Sequence, residues 1–480
     1  MINADEKNAS LTENRDGLNS DVPVMKIFMN HGKFYLYDTY TNRLFEVTKD
    51  HYIELNKLYH LGLKRYLQIY NKSTVYNDIV TLIHKGMLKS NFVKKITHSE
   101  TDYFESIIDR CISEITLQVT KDCNLKCRYC TFANDNKLTR NHSKTDMSLD
   151  IAKKSIDFLY DHSKDCQSVS VAFYGGEPTL KFELIKSVVE YAESKFFTKK
   201  IKYITTINGS ILTDEMILFF QKYNFNLTIS FDGPKDIQDF HRRYRNTGCG
   251  TFDKVYDNIN NLMKNYPHYF DAHVSFIAVM FEDEDFLRVV DFFESIGIPQ
   301  NKVHRSNADL HGIDYTYINF PSHIAAFESY DYIEYDNETN EFYSDEEKKY
   351  FIQQLADKTA IPEEWQHNGP CIPTLRRLFV SAEGDIYICE KITEIKNLSI
   401  GDIWNGIDFQ KASRYLNIGT LSEKECKSCW AMRFCKICAA YCVDIEKNDL
   451  SYDTKSVSCN KVRDNILHFL YKCTENNHEK

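Results

Sequence analysis

The sequence predicts an α/β protein: a central run of repeated strand–helix units, a small domain of strands and helices before it, and a cysteine-dense segment after it. Three observations carry this. Between about residues 113 and 306, apolar β-prone runs alternate with amphipathic helical patterns, which predicts parallel strands joined by right-handed crossovers. Ahead of them, three short β-prone runs with turn residues between them lead into helical patterns. Behind them, cysteines recur at short spacings from Cys371 to Cys459.

Composition bounds the answer. A chain of 480 residues with 42% apolar and 14% aromatic residues is long enough for about three domains with substantial cores. The amino terminus is polar and acidic, no apolar h-region follows, and no run reaches membrane-spanning length, so a cytoplasmic protein without a membrane partner is expected. A formal charge of −10 argues against nucleic acid as a partner. Fifteen cysteines is an odd number, which full internal pairing cannot accommodate, and a large chain without an export signal favours metal ligation or catalysis over disulfides.

Residues 1–22 are polar and without period, a disordered lead-in. Ile27-Phe-Met, a turn at Asn30-His-Gly32, Phe34-Tyr-Leu-Tyr37, a turn at Thr41-Asn-Arg43 and Leu44-Phe-Glu-Val47 predict a three-stranded meander. Helical spacings follow, at Tyr52, Leu55 and Tyr59 and at Ile79, Leu82, Ile83 and Met87. Three strands followed by helices over residues 23–98 resemble the small winged-helix domain called a RiPP recognition element, RiPP denoting a ribosomally made, modified peptide. The resemblance implies that the leader of a precursor peptide binds there as an added strand, for which an open sheet edge is suited. A winged helix that binds DNA, or one that only packs on its neighbour, is the alternative; no basic recognition helix is present.

Strands are expected at 114–120, 168–174, 201–207, 226–231, 272–280 and 302–306, with helices between them, such as that carrying Phe182, Ile185, Val188, Val189 and Ala192 and that carrying Phe252, Val255, Ile259 and Leu262. The first, Glu114-Ile-Thr-Leu-Gln-Val-Thr120, runs into Cys123-Asn-Leu-Lys-Cys127-Arg-Tyr-Cys130. Thiols so close are metal ligands or disulfide partners, and a zinc or disulfide knot is the plain reading. Three thiols on a cubane cluster that normally takes four leave one iron open to another ligand. The C-x3-C-x2-C spacing, with an aromatic residue before the last Cys, resembles the signature of the radical S-adenosylmethionine (SAM) enzymes. The resemblance implies a partial (β/α)6 barrel over 110–306 and a [4Fe–4S] cluster on Cys123, Cys127 and Cys130. Such barrels place chemistry at the carboxyl ends of strands, where the remaining motifs also fall.

After the second strand, Phe173-Tyr-Gly-Gly-Glu-Pro178 resembles the family's Gly-Gly-Glu-Pro motif, which implies that Gly175, Gly176 and Glu177 receive the SAM ammonium. After the third, Thr206-Ile-Asn-Gly-Ser210 is similar to its Thr-Asn-Gly element and puts Asn208 near SAM. After the fourth, Ile229-Ser-Phe-Asp-Gly-Pro234 precedes Arg242, Arg243 and Arg245; the resemblance implies that Ser230 and one of these arginines meet the SAM carboxylate or ribose. Tyr129 either lies over the adenine, by the same analogy, or packs in the core.

Residues 307–368 are acidic and Tyr-rich and are read as a solvated connector. Over 369–480 come Cys371, Gly384, Cys389, then Cys426-x2-Cys429-x5-Cys435-x2-Cys438-x3-Cys442 and Cys459. Taken alone, Cys426 to Cys438 would suit a zinc ribbon. The whole array resembles the SPASM extension, which implies two auxiliary [4Fe–4S] clusters. One would sit on Cys426, Cys429, Cys435 and Cys459, the other on Cys371, Cys389 and a downstream thiol. The usual C-x2-C-x5-C-x3-C pattern is broken, because Ala439 stands where the fourth Cys belongs; Cys438 or Cys442 completes the second cluster or leaves an iron open to a substrate thiolate. Glu390 follows Cys389 at the place where the sulfatase-maturing relatives carry an Asp base, and is otherwise a surface residue.

The resemblance thus implies a radical SAM peptide maturase with three [4Fe–4S] clusters and SAM, reduced by a one-electron donor such as flavodoxin or ferredoxin. It would abstract a hydrogen from a Cys-rich precursor and form thioether crosslinks. Carbon–carbon crosslinking or formylglycine-type oxidation is the alternative chemistry, and an iron–sulfur regulator with a DNA-binding head the alternative class.

Overall fold

The computed structural model describes residues 21–130, 132, 141–280, 283–307, 345–367, 371–374 and 376–475. Six parallel strands lie in chain order: Glu114–Thr120, Ser168–Gly175, Lys200–Ile207, Asn226–Ser230, Val274–Met280 and Val303–Asn307. No pairing joins the first to the sixth among the described residues, so the sheet is an open, partial barrel. The first strand shows why these residues make it. Ile115, Leu117 and Val119 are fully buried in the main core with Ile108, Ala152 and Ile156, while the alternate residues Thr116, Gln118 and Thr120 are buried on the other face. This strand therefore turns an apolar face to the helices and a polar one to the other side of the sheet.

Between the strands, helices Leu149–His162, Phe182–Lys195, Asp214–Lys222 and Phe252–Asn265 bury the faces that the spacing marks; in the last, Val255, Ile259 and Leu262 are fully buried. Ser148 and Thr213 cap two of them, each side chain accepting an N–H of the first turn. The fifth strand starts two residues later than expected because Pro267, fitted to a first helical turn, opens the short helix Pro267–His273.

The sheet does not end with the barrel. Arg377–Val380 adds to the first strand in parallel, pairing Arg377 with Glu114 and Val380 with Leu117, and antiparallel strands Asp385–Tyr387, Gly401–Asp402 and Gly406–Ile407 continue from it. The sequence showed none of these strands. The C-terminal segment ends in a helix, Tyr452–Glu475.

At the amino end, Met25–Asn30, Lys33–Asp38 and Arg43–Val47 form an antiparallel meander, followed by helices Lys49–Leu61, Leu63–Ile69 and Tyr76–His84. Leu36 on one face of the sheet packs with Leu55, Leu58, Tyr66 and Ile79; Tyr35 and Tyr37 on the other pack with Phe351, Phe434, Ile466 and Phe469. The sheet is thus held between its own helices and the C-terminal helix. Of the expected connector, 308–344 lies outside the described residues, while Asp345–Ala356 is helical and Glu364–Trp365 pairs in parallel with Lys95–Ile96. No helix among the described residues is long and apolar enough to cross a membrane.

Candidate functional site

Cys123, Cys127 and Cys130 occupy one loop beyond the carboxyl end of the first strand, and backbone bonds to the following segments fix its path. Lys126 N–H donates to Arg243 O (2.8 Å), Arg128 N–H to His241 O (3.0 Å), and Arg245 N–H to Asn124 O (2.9 Å). Burial pushes the Cys123 thiol up to about 12, and it raises that of Cys127 too, partly offset by the Arg242 guanidinium. Two desolvated thiols beside a cation, with Cys130 in the same loop, are poor thiolates alone and good ones for a metal cluster.

The Gly-Gly turn packs against this loop. Gly176 N–H donates to Thr120 O (3.0 Å) and Glu177 N–H to Asp122 O (2.9 Å). A Cβ on Gly175 would lie 2.2 Å from Thr120 O, and one on Gly176 2.1 Å from Asp122 O, so both glycines are required by the neighbouring backbone itself. The Glu177 carboxylate is buried: Oε1 accepts from Thr179 N–H (3.1 Å) and hydroxyl (2.6 Å), Oε2 from Asn208 N–H (2.7 Å). Burial raises its pKa against those bonds. Asn208 in turn donates to Asn124 Oδ1 (2.8 Å) and accepts from Ser210, so the Cys loop, the Gly-Gly turn and the third strand's loop form one network. Ser230 closes the fourth strand, half-buried.

The three arginines separate. Arg242 is buried and makes two bonds to the fully buried Asp232, 2.8 and 3.1 Å, while Tyr129 donates its hydroxyl to the same carboxylate (2.6 Å) and lies 5.3 Å from the guanidinium. Arg245 pairs with Asp122 (2.6 Å), and Arg243 is exposed. Asp232, which the sequence reading quoted without assigning a role, is therefore the hub of this layer; its signal was a carboxylate in an apolar run just ahead of an Arg cluster.

In the C-terminal segment, Cys426, Cys429, Cys435 and Cys459 line one cavity together with Lys455, Arg463, Trp365, Gln366 and His367. Lys455 Nζ lies 3.5 Å from Cys426 Sγ and 3.9 Å from Cys459 Sγ; burial works against its charge, but these thiols and those of Cys435 and Cys442 raise its pKa overall. Among the described residues, Trp365 Nε1, both polar side-chain atoms of Gln366 and both ring nitrogens of His367 are buried without a hydrogen-bond partner. Each would cost about 1–3 kcal/mol in an apolar void. Four thiols, two cations and unanswered N–H donors fit an anionic iron–sulfur cluster. No three His, Cys, Asp or Glu side chains among the described residues gather tightly enough for a single metal ion.

Cys371 and Cys389 lie near one another, beside Arg377 and Glu390. Arg377 joins Glu114 (3.1 Å) and Glu390 (2.7 Å), which puts Glu390 at the amino-terminal end of the first strand, not beside the Cys123 loop. Cys442 is buried, with its Sγ 3.7 Å from Cys438 O, and approaches Lys455 and Cys459.

A model of the radical SAM superfamily matches residues 117–293, and one of an iron–sulfur cluster-binding domain, SPASM, matches 371–430. An uncharacterized protein of Methanocaldococcus jannaschii is 31% identical over 144 residues, 30% of this chain and 46% of that relative, so less than half its length is spanned. The cysteine-type anaerobic sulfatase-maturating enzyme of Clostridium perfringens is 24% identical over 371 residues, 72% of this chain and 94% of that enzyme. Among solved structures, native anSMEcpe with bound AdoMet superposes with a TM-score of 0.50 at 20% identity, covering 76% of this chain and 99% of that one.

Proposed function

We propose that this chain, with its radical SAM match over residues 117–293 and SPASM match over 371–430, is an enzyme that matures a ribosomally made, Cys-rich precursor peptide by forming thioether crosslinks. With a [4Fe–4S] cluster on Cys123, Cys127 and Cys130 and SAM on the open iron, the site would supply hydrogen-atom abstraction from a substrate carbon. The residues around it hold geometry and exclude water: Glu177, Asn208 and Asn124 lock the loops, and the Asp232–Arg242–Tyr129 layer backs the thiols. Joining a carbon and a thiol sulfur removes one hydrogen atom, one proton and one electron. A second electron-accepting group is therefore needed, and the four-thiol cavity of Cys426, Cys429, Cys435 and Cys459 is the observation that carries the reading. Cys371 and Cys389, with Cys438 or Cys442, would hold a third cluster.

The peptide assignment draws support from the maturase relative and from the amino-terminal sheet. Its first strand faces the C-terminal helix, where Asn30 donates to Tyr471 O and Thr474 Oγ1, while among the described residues Arg43–Val47 pairs with Lys33–Asp38 on one side only. An open edge of that kind accepts an extended leader peptide as a fourth strand. Formylglycine-type oxidation is favoured by the relative's name but not by Glu390, whose carboxylate is engaged by Arg377.

The test is anaerobic incubation of the reduced, iron-loaded enzyme with SAM and a precursor peptide encoded beside its gene, read by mass spectrometry. A loss of about two hydrogens per crosslink, with the bonded cysteines resistant to alkylation, is expected. Cysteines that all still alkylate would reject thioether formation, and Cys127→Ala should abolish SAM cleavage altogether.

A further inference from the structure

The cavity of Cys426, Cys429, Cys435 and Cys459 has one wall that does not come from the cysteine segment. Trp365, Gln366 and His367 belong to the stretch read from sequence as connector, and they reach the cavity because Glu364–Trp365 pairs with Lys95–Ile96. His367 is 9% and Gln366 5% exposed, and their polar atoms meet no partner among the described residues. The seat is shaped for Gln366: a Cβ on Gly419 would fall 2.3 Å from Gln366 Oε1. Lys455 approaches two of the thiols.

We propose that His367 and Gln366 are positioning residues for the cluster held in this cavity, donating N–H hydrogen bonds to its sulfurs and thereby raising its reduction potential. The argument is one of matching chemistry. Buried N–H groups require acceptors, and the thiolate and sulfide sulfurs of a cluster are the acceptors this donor set would meet. Each such bond is stronger on the more negative, reduced cluster, so it favours reduction, and the Lys455 ammonium acts in the same direction. The chain would so mark this cluster as the ready electron acceptor. This rests on the cluster reading of the cysteines given above.

The test is an EPR-monitored redox titration of the full chain, loaded anaerobically with iron and sulfide, with Cys123, Cys127 and Cys130 replaced by Ala so that only C-terminal signals remain. In His367→Phe, the oxidised-to-reduced ratio of one signal at fixed ambient potential should rise about tenfold, about 59 mV for one electron, with iron content unchanged. Gln366→Leu should shift the same signal in the same direction, and His367→Gln, which keeps a donor, should restore the wild-type midpoint. If His367→Phe alone fails to load iron, the other two variants decide. Loaded variants with unmoved midpoints would overturn the inference alone. A starting protein that binds no iron at these cysteines would overturn the cluster reading and the inference together.

Discussion

Asp232 does more around the cysteine triad than any of the residues picked out from sequence. It is fully buried, receives both Arg242 bonds and the Tyr129 hydroxyl, and accepts Val279 N–H (3.0 Å) as well. Replacing it by Asn leaves the Arg242 charge buried without its counter-ion, a loss of about 3–5 kcal/mol, which urea unfolding of Asp232→Asn would show as a lowered midpoint with little change in slope. Which of Arg242, Arg243 and Arg245 is buried could not be read from the sequence. The three stand within four positions, and what buries the first is a fold-back, Arg243 bridging to Gly250 and Thr251 bonding Arg242 O, that no local periodicity reveals. The triad itself was legible because its spacing is local, all three thiols lying within one loop.

Elements with a strong period were readable and those held only by distant partners were not. The six barrel strands announce themselves through runs of β-branched residues between helical patterns, and their observed ends differ from the expected ones by at most two residues. Arg377–Val380 and the two- and three-residue strands after it are too short to carry a period and exist because the first barrel strand offers an edge. The helix Tyr452–Glu475 escaped for another reason: its buried residues Ile466, Phe469 and Leu470 crowd one end, while Lys455 and Cys459 of the other end line the thiol cavity. The Gly-Gly turn shows how tightly elements can be matched. Gly176→Ala would drive a methyl into Asp122 O, and the backbone there has little freedom to yield. We expect a loss of about 1–3 kcal/mol together with fewer irons bound per chain, measured by thermal unfolding and iron assay.

Across the whole molecule, the amino-terminal sheet is fastened to the cysteine-rich end of the chain rather than built as an independent module. Arg433 is the fastening: its guanidinium donates to Thr39 O (2.8 Å), Tyr40 O (2.8 Å) and Thr359 O (2.7 Å). Arg433→Ala strands the buried Thr39 carbonyl and loosens two part-buried ones, a loss of about 1–3 kcal/mol, and limited proteolysis should then cut within residues 21–90 first while SAM cleavage persists; unaltered protease resistance would contradict this.

The pairing of Arg377–Val380 with Glu114–Thr120 acts as a ruler. The strand carries the cysteine triad past one tip and, through Arg377 and Glu390, the Cys371–Cys389 pair beside the other, and seven extended residues hold those tips about 20 Å apart. A hydrogen-bonded sheet does not stretch when a substrate arrives. Should each tip hold a cluster, as proposed, any quickening of electron flow between them would have to come from what is laid along the ruler, not from a change in its length.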